Sequence, residues 1–480
     1  MLPEGFARPC RAHERGVLPL VFSCAVAGAG FSRYSAGVDT EQHESERSTA
    51  VDGDPTESAQ PVGSASPAGG LWRSLAEGCL LAYLLTLPAG QHMPEGIRPA
   101  LLYAMVGAGV LDAAIGPPAR ARLRGLLPVG FFLGVHALTI ATSTFRELSW
   151  DLSVFMPVVA MVFVVTQRVL VTRAALGRLQ FCLGLIAAVV AFDGASRAVL
   201  GWSPLVMERV VAVDRVSASL PHPNDLVIVP MLLPFAWEWL RARGVRWVIG
   251  GAVVLGPAVV IALLASKSRN AWLTMGGVVF VWCWLVLGWR VALAAVGALA
   301  ALAGAAFAAD VMGVRARAGD FLKLRNDGRV GLWLVALAMF RESPWLGKGV
   351  FTFGEYYKPS WFALRIDFPE GYTPEAKIIP WAHNLVLEFL AERGVVGLAS
   401  FVWMVGAALA SVRRRLHDPG AAAAVTAMAG FLGASLVDLT LMKDWVALLL
   451  FVLLAVLWRT GDGLGERGES RNGEEPGASQ

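Results

Sequence analysis

The sequence predicts an all-α, polytopic membrane protein. Of its 480 residues, 56% are hydrophobic and 16% charged, against roughly 25% charged in an ordinary soluble domain. Mean hydropathy is +0.57. Apolar stretches of about 20 residues recur along the chain, the length at which a helix crosses the hydrocarbon core with its backbone satisfied internally. These figures exclude a soluble enzyme, a disordered chain and a disulfide scaffold. The formal net charge of +4 is too small to suggest nucleic acid.

Residues 1–70 stand apart. Positions 17–31 form a short apolar run after Arg11 and Arg15, which fits a signal-like segment or a start codon assigned too early. Residues 32–70, rich in Ser, Glu, Asp, Gly and Pro, read as a disordered tail. From there the hydropathy predicts about twelve spans, near 71–88, 97–116, 125–142, 152–166, 179–200, 224–240, 247–265, 271–287, 291–309, 384–410, 421–437 and 444–458. The span at 97–116 is the weakest, because it carries Asp112 and several Gly. Nine spans thus fill residues 71–309 and three fill 384–460, and residues 461–480 read as a disordered cytoplasmic tail.

Alternate connections are rich in Arg. Arg120, Arg122, Arg124, Arg168, Arg173, Arg178, Arg241, Arg243, Arg246, Arg290, Arg413, Arg414 and Arg415 lie on one side. The positive-inside rule makes that side cytoplasmic, with both termini inside. The opposite side carries only Arg98, Arg146, Arg209, Arg215, Lys267, Arg269 and Lys443 in or beside its short loops. It also carries the long connection 310–383, with ten basic and eight acidic residues. Loops of such length tend to be functional. Val330, Trp333, Leu334, Leu337 and Phe340 form an apolar stripe at helical spacing within it. That stripe fits a helix lying on the membrane face or one packed inside a folded loop.

The five cysteines include no C-x-x-C pair and read as packing residues, three of them (Cys79, Cys182, Cys283) inside spans and two (Cys10, Cys24) before them. No phosphate-cradling loop, no H-E-x-x-H and no G-x-S-x-G elbow is present, and the seven histidines lack metal-ligand spacing. No metal and no cofactor are therefore expected.

The remaining chemistry gathers on the outer side. His383, in Trp381-Ala382-His383-Asn384, sits where the long loop enters a span. A histidine there can act as a general base, or simply cap the helix. Arg329 follows Asn326-Asp327-Gly328 at a helix start, a natural anion site or a solvated charge. Lys267 and Arg269 crowd one tight outer turn, which suggests an anionic ligand or snorkelling to headgroups. Arg215 precedes Pro221-His222-Pro223-Asn224-Asp225, where Asn224 and Asp225 read as turn and capping residues. Asp193, inside a span, has Arg197 four residues on as its natural partner.

At these residues the chain resembles the O-antigen ligase family of bacterial membrane proteins. The matching pieces are R-V-S-A-S-L-P-H-P-N-D (215–225), S-K-S-R-N-A-W (266–272), G-R-V-G-L-W (328–333), E-S-P-W-L-G-K-G-V-F (342–351) and A-H-N-L-V-L-E-F-L-A-E-R-G-V-V-G-L (382–398). The resemblance extends over roughly residues 71–460. It implies a membrane-embedded glycosyltransferase of the bacterial inner membrane with its active site on the periplasmic face. The donor would be a glycan on undecaprenyl diphosphate and the acceptor a hydroxyl of the lipid A core or another glycan, with membrane lipid around both. It further implies His383 as the base that deprotonates the acceptor. Arg329, Arg269 and Arg215 would hold the donor diphosphate, with Lys267 a less secure transfer. Asn384 would orient the base, Glu392 would support the helix end, and Asn224 falls within a matching piece.

The physics agrees with that assignment: fixed guanidinium groups stabilise the charge of a departing diphosphate. Energy stored in the donor's anomeric phosphate bond also fits the missing nucleotide loop. Direct attack by one hydroxyl would invert the anomeric centre. A repeat-unit polymerase using the same carrier is an alternative. A transporter is another, with Asp193 the feature in its favour.

Overall fold

A computed structural model describes residues 67–115, 125–209, 214–313, 315, 328–366, 373, 375 and 377–461. Outside these lie the signal-like or disordered readings of residues 1–66, Cys10, Cys24, Arg120, Arg122, Arg124, the Asn326-Asp327 pair and the tail from 462.

The described chain is predominantly helical. In order, its α-helices are α1 (Pro67–Leu85), α2 (Ile97–Ile115), α3 (Leu126–Ala141), α4 (Arg146–Ser153), α5 (Phe155–Val169), α6 (Arg173–Leu200), α7 (Ile228–Arg241) and α8 (Val245–Ser266). They continue with α9 (Arg269–Leu287), α10 (Trp289–Ala308), α11 (Gly328–Glu342), α12 (Phe353–Leu364), α13 (Leu385–Val412), α14 (Pro419–Ser435) and α15 (Asp444–Gly461). Every stretch expected to span coincides with a helix. Among the described residues, eight helical stretches are long and apolar enough to cross a membrane, α4 and α5 together forming one of them (Arg146–Val169), and α3 and α14 are apolar but shorter. Neither α1 nor α7 belongs to those groups: α1 carries Arg73 and Glu77, and α7 has only 14 residues, with Glu238 and Arg241 near its end.

Local chemistry sets the helix limits. The Thr172 hydroxyl accepts from Ala175 N at 3.1 Å to open α6, and Ser268 does the same for α9 through Ala271 N at 3.3 Å. Gly201, at φ 62°, ends α6 in the left-handed region. The apolar pattern then sorts helices by depth. α15 is hydrophobic around its whole circumference, and 78% of its apolar window is buried, against 11% for α10. α15 packs on α5, α13 and α14, while α14 also meets α7 and α9.

Charges inside the bundle are paired. Asp112, in the weakest expected span, accepts from Arg168 Nε at 2.9 Å and lies 3.4 Å from Arg73. Asp193 accepts from Arg197 Nε at 3.0 Å and from Leu205 N at 3.3 Å, tying down the two-stranded hairpin Trp202–Ser203 and Glu208–Arg209. This removes Asp193 as an argument for transport. Cys79, Cys182 and Cys283 are free thiols, the last two buried.

The long connection contains α11 and α12, which pack on each other and on α13. The buried face of α11 is Leu332, Val335, Ala336 and Met339, whereas Val330 and Leu334 of the expected stripe are exposed. The helix thus packs one face inside the folded loop and leaves part of the stripe turned outward. With Phe353, Tyr357, Ile379 and Ala382 this face forms a separate small core, and Ala382 immediately precedes His383.

Residues 344–349 are fastened to a break in α13. Lys348 N donates to Ala391 O and Gly349 N to Glu392 O, both at 3.0 Å, and Val395 N donates to Pro344 O at 2.8 Å. Those carbonyls are available because Gly394 leaves the helical conformation (φ 62°, ψ −168°). A Cβ on Gly394 would stand 2.2 Å from Trp345 O, so only glycine fits both the torsion and the close approach.

Candidate active site

The site is built where four connections meet at one end of the bundle. The turn between α8 and α9 receives the 214–225 segment: Val216 N donates to Ala265 O at 3.0 Å, and Arg215 Nε donates to Ser266 O at 3.0 Å. Asn270 Nδ2 reaches Ala434 O at the end of α14 at 3.2 Å. The 436–443 connection then meets both remaining parts. Asn384 Nδ2 donates to Leu436 O at 3.0 Å, and Lys443 Nζ pairs with Asp225 Oδ1 at 2.6 Å.

His383 stands at the centre. Its backbone is left-handed, φ 54°, an uncommon setting for a side-chain-bearing residue and one that recurs at functional positions. Its Nδ1 is hydrogen-bonded to Asp438 Oδ1. The Asp438 side chain is 5% exposed and that of His383 18%. Burial pushes the Asp438 carboxyl up, but the hydrogen bond and charge of His383, then the charges of Arg329 and Lys443, hold it well below the usual carboxylate range. A carboxylate only accepts, so the imidazole proton resides on Nδ1 and the Nε2 lone pair is left for chemistry. Trp381 Nε1, 3.2 Å from the same Nδ1, therefore bounds the ring without donating to it. Lys443 Nζ lies 5.4 Å from the centre of the Trp381 ring.

The structure revises several roles. Asn384 caps α13 by accepting from Leu387 N at 3.1 Å, and its amide is committed to Leu436. It therefore positions the helix, and the group that orients the imidazole is Asp438. Asn224 does not cap. His222 Nδ1 accepts from Asn224 N at 3.1 Å in that role, while Asn224 Oδ1 accepts from Arg215 Nη2 at 2.6 Å and aims the guanidinium. Asp225 is given to Lys443 rather than to a cap. Burial pushes the His222 imidazole below its ordinary range. Asp438 and Asp225 oppose that shift, and Arg215 and Lys443 add to it. Lys267, left-handed at the end of α8 (φ 48°), pairs with Asp214 Oδ1 at 2.6 Å.

Arg329, in the first turn of α11, lies close enough to Asp438 for its charge to act there, and Arg215 acts likewise on His222. Arg269 is the first residue of α9, directly after the capping Ser268. Glu392 is not brought to His383. It is 1% exposed, accepts from Phe353 N at 3.1 Å and pairs with Arg393 Nη1 at 3.2 Å, so it belongs to the loop attachment. Asp438, Lys443 and His222 are the residues that reading for motifs underweights. Asp438 had one signal, a lone acid at a span edge on the same side as His383. Beside the site, Leu385, Val386 and Phe389 of α13 and Leu432 and Leu436 around the end of α14 enclose an apolar cavity of about 170 Å³.

Residues 251–402 match the family model described as O-antigen ligase. The match runs from within α8, through Lys267, Arg269, Arg329 and His383, into α13, and it supports an O-antigen ligase family assignment. With the helices able to cross a membrane, it supports a multi-pass membrane protein. The family suggests glycan transfer of the ligase or polymerase type and, in general terms, a lipid-linked glycan and an acceptor as partners. Comparison with curated proteins finds no match.

Proposed function

We propose that the protein transfers a glycan from undecaprenyl diphosphate to a hydroxyl of the lipid A core, on the periplasmic face of the bacterial inner membrane. The observation that carries this is the His383–Asp438 pair beside Arg329 and Lys443. His383 Nε2 takes the proton of the acceptor hydroxyl as its oxygen attacks the anomeric carbon. The bond from that carbon to the diphosphate oxygen breaks, the electron pair leaves with the diphosphate, and the configuration inverts. Asp438 stabilises the imidazolium as it forms. Arg329, Arg215 and Arg269 are assigned to the diphosphate, whose negative charge grows on departure. A polyprenyl carrier stays in the bilayer, and the apolar cavity beside Leu436 supports a seat for part of its chain.

The Arg-rich connections support the orientation, since the positive-inside rule favours the opposite end as the cytoplasmic one. The test is a surface-glycan blot of a deletion strain carrying the wild-type gene or His383→Ala. The expected result is bare core with long glycan retained on the carrier in both the deletion and the variant. Core bearing a single repeat unit would instead assign a polymerase.

A further inference from the structure

Away from His383, a cavity of about 610 Å³ opens between the end of α3 and the short helix α4, within the range usual for small-ligand sites. Its walls include Ile140, Ala141, Arg146, Glu147, Trp150 and Asp151. Trp150 is 60% exposed, although α4 buries Ser149 and Ser153 on its other side. The helix is held firmly. Ser149 Oγ donates to Ser143 Oγ at 2.9 Å, and Arg146 Nε donates to Ala141 O at 3.2 Å. We propose that this groove binds a saccharide, with Trp150 as the stacking platform and Glu147 and Asp151 as hydroxyl acceptors; the inference rests on the glycan-transfer reading above.

The chemistry selects the ligand. An indole face covers the apolar face of a pyranose ring, and carboxylates accept from adjacent hydroxyls. A phosphate headgroup fits poorly, because the lining holds two carboxylates and a single guanidinium, which already donates to Ala141 O through Nε and Nη2. A neutral polyol suits that balance. The location is apt as well. Phe145, just before α4, meets Tyr356 of α12 edge-on with ring centres 5.6 Å apart. A Cβ on Gly349 would stand 2.0 Å from Ser143 Oγ, so the groove adjoins the segment fastened to α13.

The saccharide has two possible sources, the acceptor and the donor's glycan. The full chain in nanodiscs is titrated calorimetrically with two soluble probes: lipid-free core oligosaccharide, and repeat-unit oligosaccharide released from its carrier. One probe is expected to bind wild type and His383→Ala alike, Trp150→Ala to weaken it by roughly tenfold, and Trp150→Phe to recover most of the loss. Binding of the core probe makes the groove the acceptor's, and binding of the repeat-unit probe makes it the donor's. Absence of binding of either probe to wild type would overturn the proposal. So would unchanged affinity in Trp150→Ala, or displacement of the bound probe by phosphatidylglycerol vesicles but not by the free sugar. Transfer that survives His383→Ala while Trp150-dependent binding persists would remove the catalytic reading and leave the groove.

Discussion

Two polar clusters lie along the first half of α13, and the 436–443 connection contributes to both. At the helix start, Asp438 of that connection holds the His383 imidazole, which keeps 18% of its side chain exposed. Within the helix, Thr440 donates to Glu388 Oε1 at 2.6 Å, and Glu392 and Arg393 pair with each other at 1% exposure. The first cluster leaves the imidazole partly exposed. The second is shut away from solvent, with the Arg393 guanidinium 4.6 Å from the Phe389 ring centre and 5.2 Å from that of Phe351. Charged groups on one helix are thus left partly open in one place, where the proposed chemistry needs access, and buried as a fastening in the other.

The largest expected effect breaks the closed cluster. Arg393→Leu leaves Glu392 buried without its cation and is expected to cost about 3–5 kcal/mol of stability, seen as a collapse of folded yield and melting temperature in detergent. Gly394→Ala follows, because a side chain there meets Trp345 O at a torsion reserved for glycine. About 3 kcal/mol is expected, by the same melt. Variants of the open cluster should behave in the opposite way. His383→Ala is expected to lower glycan transfer by roughly 10²- to 10⁴-fold while the protein still folds, at a cost of about 1–3 kcal/mol because the buried Asp438 carboxylate loses its hydrogen bond. Asp438→Asn should lose about 10- to 100-fold, since the amide no longer fixes the proton on Nδ1.

The smallest effect is one of pH. Burial holds the folded His222 imidazole below its ordinary value of 6.5. Its contribution to stability is therefore full above that value and is lost as pH falls through the lower, folded one. Melting temperature should decline with acidification below about 6.5, and His222→Asn should flatten that part of the curve.

The same contrast explains what the sequence makes legible. Each expected span became a helix because apolar length and Arg-rich turns are local properties, and His383 was visible because it stands at a junction of loop and span. Asp438 was not, because its meaning depends on a partner 55 positions away. Asn224 and Asn384 carry the right residue type for a site, yet their side chains are committed to Arg215 and to Leu387 and Leu436, which spacing cannot reveal. Glu392 sits in the same motif as His383 but on a part of α13 that faces the 344–353 segment.

The central claim is that an Asp438-oriented His383 removes the acceptor proton. The most direct measurement is the transfer rate of purified protein, with polyprenyl-diphosphate glycan and core acceptor, for wild type, His383→Ala and Asp438→Asn. Transfer near background for His383→Ala and a partial loss for Asp438→Asn, with both variants still folded and inserted, would agree with it. Transfer at the wild-type rate by correctly folded His383→Ala would contradict it.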